Sequence, residues 1–299
     1  MSFGTALALV LAAVSTALIN IAYLREHEAV TGLPALRMRR PLASAQILLS
    51  NRRWLVGFAM ETTGFLLYAA ALALAPLALV QSIAAGGIGV LAYVSARMRR
   101  RRLSRHETVG VLLSMVGLIA LAVSLVGGSG EGDHGQIGSI VLWLGITAAV
   151  AVAILAIGRK LVGVAVAYAI GGGIFFAIGD VSTEVATTGG ARIAFAVTLI
   201  LGYLLGTALL QAGYQAGTAL TVAGIATLLT NAIPIAAGTI VLNEPVPAGA
   251  FGALRIVAFG AVSIGAFFLA RPARSRAPDE ARERGRAGEP EACPAQSRT

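Results

Sequence analysis

Three acidic side chains lie inside or at the edge of long apolar stretches, where an ionised carboxylate is costly unless it is paired or hydrated. Glu61 lies about 10 Å into the apolar run 54–75, at 1.5 Å of helix per residue. Its position predicts a cation or proton site with Glu61 as a candidate metal ligand, and a structural hydrogen bond to a neighbouring helix is the alternative. Asp180 and Glu184 lie one helical turn apart at the end of another run. They attract cations at an outer mouth, or they form a solvated helix end.

A second group of candidates consists of uncharged polar side chains on two interrupted apolar stretches, namely Gln81, Gln211, Tyr214, Gln215 and Asn231. Amide and phenol groups there can ligate a cation, bind a polar substrate or hydrogen-bond between helices. Pro234 frees a backbone carbonyl near Asn231, so we expect a helix break that lines a cavity. Gly86, Gly87 and Gly172 are the further candidates for a hinge or break.

The composition determines what kind of protein carries these residues. The chain is 57% hydrophobic and only 12% charged, whereas soluble domains are about 25% charged. This composition predicts a protein embedded in the lipid bilayer. The sequence has no nucleotide-binding glycine loop and no metalloprotease motif, so we expect neither an enzyme nor a cofactor. The net charge of +9 comes from arginines beside apolar runs, so nucleic acid is not an expected partner.

Apolar runs of about 20 residues predict an all-α membrane bundle of nine spans. The runs are 3–24, 54–75, 76–96, 108–127, 138–158, 161–181, 193–213, 215–242 and 250–270. With the N-terminus outside and the C-terminus inside, 21 of the 23 basic residues fall on the inner side, as the positive-inside rule requires. Arg255, near the start of the last run, is expected to extend outward to the interface.

Four regions follow from these spans. Residues 1–127 form a first unit of four spans with a cytoplasmic loop at 25–53, in which 41–51 has the pattern of a surface helix. Residues 128–137 form a glycine-rich outer linker, and residues 138–270 form a second unit of five spans. Residues 271–299 form a polar, disordered cytoplasmic tail. The excess of arginine over lysine, with abundant alanine and glycine, indicates a bacterial plasma membrane protein.

The two units have a similar ending. Arg101 to Ser104 and Glu244 to Pro247 each follow an interrupted helix and precede a final helix with spaced glycines. The predicted topology places the two units in opposite orientations. Inverted repeats with discontinuous helices are the architecture of secondary carriers. The alternative is that the glycines only allow close helix packing.

Two sets of residues carry a family resemblance. The stretches Leu229-Thr230-Asn231 and Leu242-Asn243-Glu244-Pro245 resemble the helix-ending signature of EamA-type members of the drug/metabolite transporter superfamily. The stretch 54–81 together with Gln211 and Tyr214 is similar to the NIPA-like magnesium transporter branch. Phe65 and Tyr68 stand where that branch carries a glutamate and an asparagine, and Arg101 stands where it carries the glutamate that closes the first repeat. Tyr68 thereby joins the pathway candidates.

The resemblance implies a secondary transporter in two inverted halves that moves a small metabolite or a cation. A NIPA-like magnesium or divalent-cation transporter is the first alternative. A membrane scaffold that transports nothing is the second, because most predicted spans are apolar on all sides. The expected partners are the bilayer and the substrate, and a homodimer is left open.

Overall fold

The computed structural model describes residues 3–36, 40–74, 80, 83–84, 86–98, 100, 102–126, 135–243 and 249–270. No residue in these ranges lies in a β-strand, in agreement with the predicted all-α class. The described residues form ten main helices. They are α1 (Phe3–Thr31), α2 (Pro41–Leu49), α3 (Arg52–Leu74), α4 (Gly87–Met98), α5 (Arg105–Val126), α6 (Ile137–Ala153), α7 (Val164–Thr187), α8 (Phe195–Ala216), α9 (Ala219–Ile240) and α10 (Ala250–Ala270).

Seven of the described helical segments are long and apolar enough to cross a membrane. They correspond to α1 and to α5 through α10. The chain is therefore a multi-pass membrane protein. The predicted count of nine is not reached within the described residues. The predicted span 76–96 lies partly outside them, and α3, a continuous helix of 23 residues, is not among the seven.

Helix α1 is longer than the predicted run 3–24, because it continues as a single helix to Thr31. Its buried side keeps helical spacing through Ala22, Glu26 and Val30, while Arg25 and Glu28 are exposed. The predicted loop 25–53 thus begins inside a helix, in which Arg25 and Glu28 lie on the exposed side and Glu26 on the buried side. The short helix predicted at 41–51 is confirmed as α2.

The boundary between α8 and α9 also differs from the prediction. Gln211, Tyr214 and Gln215 belong to the last turns of α8 and not to the start of α9. Helix α9 begins after Thr218, whose hydroxyl accepts a hydrogen bond from the Thr221 amide at 3.2 Å. It then continues through Pro234 to Ile240, so the expected break is absent from this helix. The proline removes one backbone hydrogen bond, but the turns on either side continue the helix.

Glycines set the closest approaches between helices. A Cβ at Gly57 would lie 2.7 Å from Cγ of Glu26, and one at Gly64 would lie 3.3 Å from the Ile19 amide, so α3 runs antiparallel along α1. Small residues at such crossings are typical of membrane bundles, where close packing replaces the hydrophobic drive of water. Three other crossings are built in the same way: Gly202 against Gly179 joins α8 to α7, Gly173 against Ala226 joins α7 to α9, and Gly117 against Val262 joins α5 to α10.

Arg255 lies in the interior of the bundle, which contradicts the expectation that it extends outward. It is 5% exposed. Its guanidinium donates to the hydroxyl of Ser124 on α5 at 3.3 Å and to the hydroxyl of Thr239 on α9 at 3.0 Å. Two neighbouring helices offer acceptors within reach of α10, so the charge is held by hydrogen bonds inside the protein.

Candidate cation site

Glu26 is a buried carboxylic acid on the side of α1 that faces α3. Its side chain is 0% exposed, and it lies within electrostatic range of Glu61 on α3. Gly57 lies one turn before Glu61, on the same face of the helix. Because Gly57 has no side chain, α3 approaches α1 closely at Glu26, and this places Glu61 near it.

Two neighbouring carboxylates repel one another when both are ionised, so a bound cation or proton would stabilise the pair. The side chains that act on the pair besides the two glutamates are Gln211, Tyr23 and Tyr214. None of these carries a positive charge, and Arg25, beside Glu26 in the sequence, is exposed. The site therefore has negative charge to offer a ligand.

Helix α8 forms the third side of the site. Gln211 is 0% exposed, and its Nε2 donates to Oε2 of Glu26 at 2.5 Å. Tyr214, three residues later, is also 0% exposed, and its ring meets the His27 imidazole edge-on with centroids 5.7 Å apart. His27 itself is held at the end of α8 by a 2.9 Å hydrogen bond between Nε2 and the Gly217 carbonyl. The carboxyl pair is thus enclosed by α1, α3 and α8.

Several oxygen atoms of the site are buried and lack a hydrogen-bond partner in the part of the chain that the structure describes. They are Oε1 of Gln211, the hydroxyl of Tyr214 and Oε1 of Glu26. A buried polar atom left unpaired costs about 1–3 kcal/mol. Hard cations such as Mg²⁺ take oxygen ligands, and water also satisfies such atoms. The arrangement is suited to a hydrated cation.

A second acidic group lies further along the bundle. Asp180 on α7 accepts a hydrogen bond of 2.5 Å from the hydroxyl of Tyr203 on α8. Gly202 and Gly179 directly precede Tyr203 and Asp180 in the sequence, and the close approach of these two glycines brings α8 and α7 together there. Tyr68 on α3 is close enough to Asp180 for an electrostatic interaction. Asp180 therefore faces the same set of helices as the glutamate pair.

Tyr23 connects the two acidic groups. It lies on α1 within electrostatic range of Glu61, Glu26 and Asp180. Glu61 and Asp180 lie deep among the helices and are nevertheless partly exposed, whereas Glu26 is fully buried. All three carboxyl groups therefore lie within electrostatic range of one tyrosine side chain.

The site is not a cage of protein ligands. No group of three His, Cys, Asp or Glu side chains converges within the described ranges. A divalent ion would therefore be held by the two glutamates, by the amide and phenol oxygens beside them, and by its own waters. Mg²⁺ gives up its waters reluctantly and is usually bound in this partly hydrated form.

The remaining predicted pathway residues are placed differently. Tyr68 is partly buried and packs against Ala8, Ala12 and Ala71. Glu184 is exposed, one turn beyond Asp180. Asn231 uses its amide within its own helix, where Nδ2 donates to the Thr227 carbonyl at 2.8 Å. Gln81 lies outside the described residues.

The predicted hinge glycines lie at helix crossings. A Cβ on Gly87 would overlap the Asn20 amide on α1, and a Cβ on Gly172 would lie 3.2 Å from the Gly206 carbonyl on α8. Gly86 precedes α4 and donates its amide to the Ile83 carbonyl. Close packing accounts for Gly87 and Gly172, and a hinge at these glycines or at Pro234 stays a prediction.

The sequence interpretation missed Glu26, Tyr23 and Tyr203. Glu26 was assigned to a charged loop because Arg25, Glu26, His27 and Glu28 are consecutive. Helical spacing could have identified Glu26 as buried, since Ala22, Glu26 and Ala29 continue the buried side of the first span. Tyr203 had no signal of its own, because only the crossing of α7 and α8 places it beside Asp180.

Sequence comparison gives a partial match to a known protein. The chain is 27% identical, over 133 residues, to a protein of Arabidopsis thaliana described as a probable magnesium transporter, NIPA9. The match covers 44% of this chain and 37% of the plant protein, so this chain spans little more than a third of that relative's length. No family profile and no solved structure matches the chain.

Proposed function

We propose that this chain is a secondary transporter that binds a small cation at the Glu26–Glu61 pair and carries it across the membrane. The observation that carries the proposal is the fully buried Glu26 carboxyl group within electrostatic range of Glu61, beside oxygen atoms of Gln211 and Tyr214 that lack a hydrogen-bond partner among the described residues. A bundle that needed only to pack would have apolar groups there, because buried charge is costly in a membrane.

Magnesium is the first substrate to test. The partial similarity to a probable magnesium transporter supports it, and so does a site made of oxygen atoms. A site with two carboxylates balances the charge of a divalent ion. Other divalent cations share this chemistry, and a selectivity series separates them.

The proposed architecture is that of the drug/metabolite transporter superfamily, with nine spans in two inverted halves. The contact of α5 with α10 supports it, since these are the last helices of the two predicted repeats. They pack antiparallel, with Gly110 near Gly265 and Gly117 near Val262. Equivalent helices of inverted repeats meet in this way when a two-fold axis lies in the membrane plane. We further propose a bacterial plasma membrane location, with the N-terminus outside.

The test is uptake by proteoliposomes that contain a Mg²⁺-sensitive dye, with an amino-acid and amine panel run beside it. We expect uptake of Mg²⁺ by the wild-type protein. Glu61→Gln keeps the size and hydrogen bonding of the side chain and removes its charge, so we expect at least a tenfold lower initial rate with normal insertion. Glu26→Gln should behave in the same way.

Glu28→Gln is the matched control. Glu28 is an exposed glutamate on α1, two residues after Glu26, and its replacement should leave uptake unchanged. Full uptake by Glu26→Gln and Glu61→Gln would refute the proposed site. Uptake of an amino acid or amine but not of any divalent cation would favour a metabolite carrier of the EamA type. Transport of nothing in the panel would favour the scaffold.

A further inference from the structure

We propose that helix α2 lies in the surface of the membrane and binds the head group of an anionic phospholipid. The site consists of α2, the cleft beside it and three exposed arginines at its two ends, Arg40, Arg52 and Arg53. None of these residues belongs to the proposed cation site, so the lipid site does not depend on which substrate the protein carries.

Helix α2 lies at one end of the helix pair formed by α1 and α3. These two helices run antiparallel, and α2 lies in the connection between them, after Thr31 and before Arg52. The 29 residues of α1 extend about 43 Å, whereas the hydrocarbon core of a bilayer is about 30 Å thick. The end of α1 therefore reaches the level of the lipid head groups, and α2 lies at that level.

The outward side of α2 is apolar. Leu42 and Leu49 lie seven residues apart on the same side of the helix, and their side chains are 85% and 58% exposed. Leu48, by contrast, is 7% exposed and belongs to the packed core. Helix α2 contains no charged residue, and Leu55 and Val56 in the first turn of α3 are also exposed. A surface helix of this kind buries its exposed apolar side among lipids, so the neighbour of α2 is a lipid.

The residues that flank α2 select a lipid with negative charge. Between Glu28 and Glu61 the sequence has five arginines and no acidic residue. Arg40, Arg52 and Arg53 are exposed, and no acidic side chain pairs with them in the part of the chain that the structure describes. A guanidinium group binds a phosphate through two parallel hydrogen bonds, and basic residues beside a surface helix attract anionic lipids.

The cleft beside α2 has room for a head group. It is open to the surface, and its volume is about 440 Å³. Its lining combines apolar and polar side chains, namely Leu33, Ala43, Gln46, Ile47, Ser50 and Asn51. The Gln46 amide and the Ser50 hydroxyl are donors for the oxygens of a phosphate or a glycerol. The apolar side chains suit the carbon atoms next to the head group, so the cleft fits a lipid better than a free phosphate.

The experiment places a fluorophore on α2 in the full chain. Cys293 is the single cysteine, so Cys293→Ser combined with Ala45→Cys gives one labelling position on the exposed side of α2. The labelled protein is reconstituted in phosphatidylcholine vesicles that contain increasing fractions of phosphatidylglycerol with brominated acyl chains, which quench nearby fluorophores. Brominated phosphatidylcholine is the reference. We expect half-maximal quenching at an about tenfold lower fraction of phosphatidylglycerol, and about 1 M salt should reduce this preference.

Replacement of the flanking arginines tests their role. Arg40→Gln, Arg52→Gln and Arg53→Gln together should abolish the preference for phosphatidylglycerol. Should this variant not reconstitute, Arg52→Gln with Arg53→Gln should lower the preference at least threefold. The matched control removes the same charge from exposed arginines at the end of α4 and the start of α5, namely Arg97→Gln, Arg102→Gln and Arg105→Gln. This control should keep the preference.

Four results would overturn the lipid site. They are equal quenching of the labelled protein by the two brominated lipids, a preference that salt does not change, and a preference that survives in the variants at the ends of α2 or is lost equally in the control. The last of these would show only a general attraction of anionic lipids to a basic surface. Millimolar glycerol phosphate that abolishes the preference would assign the cleft to a soluble phosphate and would also overturn the lipid site.

Discussion

The crossing of α1 and α3 at Gly57 gives a direct test of how the site is held. Replacement of Gly57 by alanine would place a Cβ 2.7 Å from Cγ of Glu26 and 3.3 Å from its amide nitrogen. Carbon atoms pack at about 3.5–4 Å. The helices must therefore separate, or the Glu26 side chain must rotate, by about 1 Å. Rotation is hindered because the carboxyl group is held by the hydrogen bond from Gln211.

Two effects of opposite sign set the magnitude. Alanine is favoured over glycine inside a helix by about 1 kcal/mol. Overpacking of a closely packed contact costs about 1–3 kcal/mol. Gly145→Ala on α6 is the matched control, because a Cβ there meets nothing within 4 Å and only the helix preference acts. The difference between the two variants isolates the steric cost.

We expect Gly57→Ala to unfold about 2–6 °C below Gly145→Ala, at about 2 °C for each kcal/mol in a chain of this size. Thermal unfolding in detergent, followed by tryptophan fluorescence, measures this difference. Mg²⁺ uptake should fall about tenfold, because a 1 Å displacement in a preorganised site has effects of this order. Equal unfolding temperatures and equal uptake in the two variants would show that the crossing does not hold Glu26.

Two further predictions concern the contact of α8 with the end of α1 and the orientation of the chain in the membrane. The Gln215 side chain donates hydrogen bonds to the carbonyls of Val30, Leu33 and Pro34 and accepts one from the Leu36 amide. Gln215→Leu should therefore speed amide hydrogen exchange in residues 30–36 by about tenfold. This factor corresponds to the loss of one hydrogen bond of about 1.4 kcal/mol. Unchanged amide hydrogen exchange in residues 30–36 would show that Gln215 does not hold this segment. A cysteine at Ser104 should react with a membrane-impermeant reagent only after the membrane is permeabilised, and labelling in intact cells would contradict the proposed orientation.

The sequence alone determined the class of this protein. Its low share of charged residues and its apolar runs predict a helical membrane bundle, because backbone polar groups in lipid must be satisfied within helices. The positions of most helices followed from the same runs, and α10 begins and ends at the predicted residues, Ala250 and Ala270. Glu61 was also singled out from the sequence, since a single acidic residue inside an apolar run is conspicuous, and its role at an ion site stays a prediction.

The partners of Glu61 came only from the tertiary structure. Glu26 is 35 positions away in the sequence and Gln211 is 150 positions away, and the crossings of three helices bring them together. No local pattern encodes such a contact. The glycines that permit it, such as Gly57, look the same in sequence as glycines that contact nothing, such as Gly145.

The charged residues were the least predictable from sequence for the same reason. Glu26 was expected in a loop and is buried in a helix, and Arg255 was expected at the membrane surface and is buried among α5, α9 and α10. Hydropathy assigns each residue a fixed cost in lipid, whereas the true cost depends on the hydrogen-bonding groups that neighbouring helices bring to it. Those groups are set by which helices pack together, and the tertiary structure alone decides that.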